Sequence, residues 1–212
     1  MQDSMESKRV GILIFGDVEV LDFCGPYEVF STARLDESSR REDPSPFEAL
    51  LVAEGSEPVR ASGGMRVLPD HTLDDCPPLD VLLVPGGWGV RAGLTNLPLL
   101  DWISVRAGES ETLASVCTGA MLLGEAGLLD GRRATTHWRS LGWMQDSFPS
   151  VTVERELHVV DEGDVITSAG ISAGIDLALT VVARYCSEEI ARATARHMEY
   201  PYPEENARRV AT

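Results

Sequence analysis

Apolar residues arrive in short unbroken runs separated by amphipathic stretches, and that alternation sets the expected fold. RVGILIF (9–15), FEALLVA (47–53), DVLLVPGG (80–87) and ETLASV (111–116) are runs bounded by charged residues, Gly or Pro. Such runs read as strands buried on both faces of a sheet. Between them, GPYEVFSTAR (25–34), residues 97–108 and residues 118–126 carry helical patterns. Pro26 suits a first helical turn, and Gly127 suits a stop. Gly63-Gly64, between β-like stretches inside 57–70, predicts a hairpin.

Further along, 132–138 reads as a strand and 139–146 as a short helix. Residues 151–160 and 164–168 alternate in a β-like way around the turn DEGD. SAGIDLALTVVARYC (172–186) is apolar on most sides, as a largely buried helix is. Residues 187–197 open with Ser187 and two glutamates, an N-terminal helix signature. Strands alternating with helices predict an α/β fold with a mostly parallel central sheet covered on both faces. One domain is expected over 9–198, with tails at 1–8 and 199–212.

Composition narrows the partners. A formal net charge of −16, with Lys8 the sole lysine, leaves only the short pairs at 40–41, 132–133 and 208–209 as concentrated basic spots. That balance opposes binding to nucleic acid or to anionic lipid, so no nucleic-acid and no membrane partner is expected. No apolar run approaches the ~18 residues that span a bilayer, and the start, MQDSMESKRV, lacks a secretion-signal core. A cytoplasmic protein is the resulting expectation. Cys24, Cys76, Cys117 and Cys186 are scattered, with no Cys-x-x-Cys pair and no His at zinc spacing. Neither a metal nor a disulfide framework is expected.

One cysteine stands out by position. In LASVCTGAMLLGEAGLLDG, Cys117 falls where the strand pattern must turn into a helix pattern. It reads either as a buried small residue at a turn or as a nucleophile held at the positive end of the next helix. In the second reading the helix N-terminus lowers the thiol pKa, and Thr118 N–H with an N–H from the Gly86-Gly87 turn stabilises charge on a substrate. Asp22 follows a buried strand and reads either as a helix cap or as an acid facing Cys117 with a raised pKa. Sites in such sheets lie beyond the carboxyl ends of strands, where Asp17–Pro26, the Gly-Gly turn and Cys117 all fall. His137 reads as a structural histidine, Trp88 as a pocket wall or packing residue, and Asp176 as a carboxylate bonded to backbone. Cys76 and Cys186 read as structural.

LDFCGPYEVF, PPLDVLLVPGGWGV, SVCTGAMLLGEAGLLDGRRATTHW and AGISAGIDLALTVVA, in that order, resemble the ThiJ/PfpI superfamily over most of 9–186. The resemblance implies a flavodoxin-like three-layer sandwich, a homodimer, a small-molecule substrate and no cofactor. It also implies a cysteine nucleophile on the strand–turn–helix, Cys117, with Asp22 as acid/base and Thr118 beside it. Gly87, Trp88, Thr118 and Ile171 fall at its oxyanion and substrate positions. The nearest branch by motif is isonitrile hydratase, a lyase that adds water to an isonitrile through a thioimidate. Other cysteine chemistry on the same scaffold, glyoxalase- or amidase-type, and a cysteine-oxidation sensor are the rival readings. Thr118 stands where the protease-like branch has histidine, Cys24 stands where the pattern has threonine, and AGIS at 169–172 replaces GGIT, a change by which Ala169 and Ser172 could reshape the pocket. No helix-turn-helix segment is read in the chain, so direct DNA binding is not expected.

Overall fold

The computed structural model describes residues 7–210. In chain order the first half contains β1 (Lys8–Leu13), α1 (Val20–Thr32), β2 (Phe47–Ala53), β3 (Val59–Arg60), β4 (Arg66–Val67) and β5 (His71–Thr72). Then come β6 (Val81–Val84), α2 (Val90–Gly93), α3 (Leu97–Glu109), β7 (Thr112–Val116) and α4 (Gly119–Glu125). The second half holds β8 (Arg133–Ala134), α5 (Leu141–Ser147), β9 (Thr152–Val153) and β10 (Val159–Asp161). It closes with β11 (Val165–Ser168), α6 (Ala173–Tyr185) and α7 (Glu188–His197).

Seven strands form the central sheet in the order β10-β11-β7-β6-β1-β2-β5. All neighbours run parallel except β10 with β11. Alternate residues of the inner strands feed two cores. Val10, Ile12, Val81 and Leu83 join Phe23, Phe30 and Leu177 on one face, while Leu13, Leu82 and Val84 join Leu99, Ile103 and Met121 on the other. This period of two explains why the strands read as continuous apolar runs: both faces are covered. Helices α1, α6 and α7 pack together on the first face, and α2, α3 and α4 on the second. The result is the expected flavodoxin-like three-layer α/β sandwich. From β1 the chain goes outward to β2 and β5, then returns to lay β6 on the opposite side of β1. That reversal opens a crevice at the strands' carboxyl ends.

Several local expectations change. Helix α1 begins at Val20, not at 25, so Pro26 sits in the helix interior, where it has no N–H to give the Asp22 carbonyl one turn back. The strand expected over 132–138 shrinks to β8, which pairs with β9 outside the main sheet. Gly63 and Gly64 turn the β3–β4 hairpin with positive φ, as expected. Tails were expected at 1–8 and 199–212. Residues 1–6 and 211–212 lie outside the described residues, Lys8 already pairs in β1, and 199–210 form a strap on the body. Asn206 bonds both backbone edges of Val159 (2.8 and 2.7 Å), and Arg208 bonds the Thr136 carbonyl (3.1 Å). Asp176, expected to bond backbone, instead takes the Tyr200 hydroxyl (2.9 Å) and lies 2.9 Å from His158 Nε2 and 2.8 Å from Arg209.

Candidate active site

Cys117 occupies the tight link between β7 and α4 with φ of 58°, a left-handed conformation that is uncommon for a residue with a side chain. The surrounding structure holds it there. Its N–H reaches the Ser168 and Ala169 carbonyls (3.3 and 3.1 Å), and its own carbonyl accepts from Thr136 Oγ1 (2.7 Å). Gly119 lets α4 start so close to β6 that an added Cβ would lie 2.0 Å from the Val84 carbonyl oxygen. The sharp turn thus comes from strand–helix packing and points the thiol into the crevice.

Asp22, in the first turn of α1, is fully buried and caps no helix. Its Oδ2 accepts the Gly86 N–H (3.0 Å), while Oδ1 is buried with no N–H or O–H directed at it. The group that this carboxyl faces is the Cys117 thiol. Burial raises the Asp22 pKa to about 7 against the bonds from Gly86 and Cys117, which lower it. Such a carboxyl is partly protonated near neutrality, as the sequence reading expected.

The thiol itself contradicts expectation. Burial first, and the charge of Asp22 second, push the Cys117 pKa far above the ordinary range. The N–H groups of Thr118 and Ile171 pull the other way and are outweighed. The helix-end effect is worth about a kcal/mol, so desolvation in a site this closed wins. In the resting protein the sulfur is a thiol, and the pair titrates as a unit.

The Gly86-Gly87 turn is also placed differently from expectation. Gly86 N–H is committed to Asp22, and Gly87 N–H donates to Thr118 Oγ1 (3.0 Å). The backbone donors facing the sulfur are those of Thr118 and Ile171. Gly87 is needed for another reason: at φ of 129° an added Cβ would lie 2.4 Å from the Asp17 carbonyl oxygen and 2.5 Å from Glu19 N. Ile171 shares the left-handed conformation, with φ of 52°.

Above the thiol lies a cavity of about 440 Å³ lined by Cys117, Thr118, Gly87, Trp88 and Ile171, so five expected residues meet there. Trp88 is 70% exposed and forms a wall, not packing. Ala169 and Ser172, read as able to reshape the pocket, are absent from its lining, as are Cys24, Cys76 and Cys186. Glu19 comes from the 17–26 segment already expected at the site, whereas Arg91, Arg139, Ser140 and Trp143 were not placed there, nor was His137, read as structural. His137 has its pKa lowered by burial and then by Arg139, so it is neutral at ordinary pH. A side chain at Gly170 would strike the His137 ring at 2.1 Å, which makes that glycine the one sequence signal for the imidazole's position.

Comparison with known proteins agrees with this architecture. The model of the DJ-1/PfpI family matches residues 8–184. The chain is 36% identical over 193 residues to the isonitrile hydratase of Pseudomonas putida, covering 91% of this chain and 78% of that one. It is 40% identical over 142 residues to the HTH-type transcriptional regulator CdhR of Pseudomonas aeruginosa, covering 67% of this chain and 41% of the regulator. Among solved structures, a ThiJ/PfpI family protein from Pseudomonas syringae superposes with a TM-score of 0.81 at 30% identity, covering 94% of this chain and 78% of that one.

Proposed function

We propose an activity from one premise: the chain belongs to the DJ-1/PfpI family. On that premise, and with the similarity to an isonitrile hydratase, the cavity is the active site of a thiol-dependent lyase that hydrates an isonitrile to an N-formyl amine. The observation that supports this reading is the buried Asp22 carboxyl, with a pKa of about 7, against a thiol at the base of an accessible cavity. A carboxyl tuned to neutrality suits a reaction that needs an acid in one step and a base in the next.

The competent form of the pair holds one proton between sulfur and carboxyl. The sulfur bonds to the terminal isonitrile carbon, and the pair's proton passes through Asp22 to that carbon, giving Cys117–S–CH=N–R. Asp22, now a carboxylate, takes a proton from water as the hydroxyl adds to the same carbon, and delivers that proton to nitrogen. Asp22 then removes the hydroxyl proton, the C–S bond breaks, and R–NH–CHO leaves a pair that again holds one proton. The Thr118 and Ile171 N–H groups, which favour charge on sulfur, steady the departing thiolate. Thr118 Oγ1, bonded to the Gly87 N–H, fixes the loop over the site.

A peroxide-sensing role draws less support, because oxidation follows thiolate character and exposure. Here the thiol is buried with its pKa raised. The test is product formation from cyclohexyl isonitrile, run beside methylglyoxal, with the wild type and Cys117→Ala. The expected result is N-formyl amine from the wild type and a loss of at least ~1,000-fold on substitution. Consumption of methylglyoxal alone, or no chemistry on either compound, would overturn the reading.

A further inference from the structure

The cavity carries two cationic side chains with no assigned task. Arg91 and Arg139 line it in a chain of formal net charge −16, and neither forms an ion pair with a described residue. Elsewhere the arginines are mixed: Arg9, Arg132, Arg184 and Arg192 each meet a carboxylate within 2.9 Å, while Arg41, Arg60, Arg66, Arg155 and Arg196 form no ion pair among the described residues. What sets Arg91 and Arg139 apart is their place on the wall of the reaction cavity, where an uncompensated cation acts on whatever enters.

Their settings show how they are held. The Arg91 guanidinium carbon lies 4.6 Å from the ring centre of Trp88 and 5.3 Å from that of Trp143. Arg139 lies 4.8 Å from the ring centre of Trp138. Contact with aromatic faces fixes a guanidinium while leaving its in-plane N–H donors open, and that edge fits a carboxylate with two parallel bonds. Glu19 is the opposing carboxylate on the described lining, and it accepts from Ser62 Oγ (3.1 Å). Two cations against one anion leave a single net positive charge. That balance suits a monoanion better than a dianionic phosphate monoester. Cys117 is buried while Arg91 is exposed, so the reacting end and the charged end of a bound molecule are separated by the depth of the cavity.

We infer that the natural substrate carries a carboxylate at the end remote from its reacting carbon, and that Arg91 selects it. The identity of the reacting group rests on the hydratase reading above; the carboxylate site does not. The experiment uses a chain-length series of ω-isocyanoalkanoates and their methyl esters, assayed with the wild type and Arg91→Gln. A parallel arm measures calorimetric binding of the corresponding N-formyl-ω-amino acids, which need no chemistry. For the best chain length, kcat/KM for the acid should exceed that for the ester by about 10- to 100-fold in the wild type, as a charge-assisted bidentate contact does. That ratio should fall at least tenfold in Arg91→Gln, and the N-formyl acid should bind the variant correspondingly more weakly.

Esters turned over as well as acids by the wild type would overturn the inference while leaving the hydratase reading intact. So would N-formyl acids that bind both proteins equally. If no isonitrile reacts but the N-formyl acids bind in an Arg91-dependent way, the carboxylate site stands and the hydratase reading falls. Because the acid-to-ester ratio is read first in the wild type, a poorly folded variant does not decide the outcome.

Discussion

Replacing Asp22 by Asn should abolish turnover and, at neutral and alkaline pH, stabilise the protein. The carboxyl has an ordinary pKa near 3.8 and a folded value of about 7. A raised carboxyl pKa means the folded state binds the extra proton more tightly than the unfolded chain does. Its contribution to stability is therefore fully present below about pH 4 and is lost as pH rises to about 7. A gap of about three pH units, at 1.36 kcal/mol each, makes this loss about 4 kcal/mol. Asparagine carries no such proton, matches the shape, and can still accept the Gly86 N–H. The variant should equal the wild type within about 1 kcal/mol at pH 4.5 and exceed it by up to about 4 kcal/mol at pH 8. Urea unfolding followed by tryptophan fluorescence reads this directly. With a slope of about 2 kcal/mol per molar for a chain of this size, the midpoint at pH 8 should rise by roughly 1.5–2 M. Other acids titrate in both proteins, so only the difference between them is informative. A difference that does not change from pH 4.5 to pH 8 would show an ordinary ionised carboxylate and refute the reasoning.

The same pair sets the pH dependence of rate: kcat/KM on a neutral isonitrile should rise with pH to a plateau, with an apparent pKa of about 7, because the form holding two protons cannot expose a thiolate. A profile flat from pH 5 to 9 would contradict this. Thr136→Val removes the hydroxyl that serves the buried Cys117 carbonyl and should cost about 1–3 kcal/mol of stability and lower kcat, checked by unfolding and steady-state kinetics. Gly119→Ala places a Cβ 2.0 Å from the Val84 carbonyl oxygen and should destabilise by about 3 kcal/mol or more, read as a drop in Tm.

Features confined to one stretch of chain were legible in the sequence. The buried runs ending at Val84 and Val116 mark β6 and β7, because both faces of those strands are covered and every position can be apolar. Cys117 was visible because it directly follows β7, and Asp22 because it falls in the segment after β1, both at the end of the parallel sheet that presents its site. What misled was a local signal overruled by tertiary packing. Pro26 looks like a helix start, yet Val20–Gly25 are already helical, with Asp22 held by the Gly86 N–H from another loop. The strap at 199–210 has the composition of a tail, and only its meeting with Asp176, Val159 and Thr136 makes it structure. The cavity wall was the least legible part. Arg91 comes from α2, whereas Arg139 and Trp143 come from the consecutive helical turns over 138–147, and no sequence pattern links the two segments. The thiol's high pKa also escaped, since burial, which decides it, is not readable from a helix terminus alone.

A covalent bond between Cys117 and the substrate carbon is the step on which the proposed hydration depends. Wild-type protein mixed with excess cyclohexyl isonitrile, quenched in acid within the first turnovers and digested, should yield one modified peptide. Its mass should increase by one isonitrile, and fragmentation should place the addition on Cys117. Formamide production with Cys117 unmodified at every quench time, or undiminished turnover by Cys117→Ala, would contradict the account.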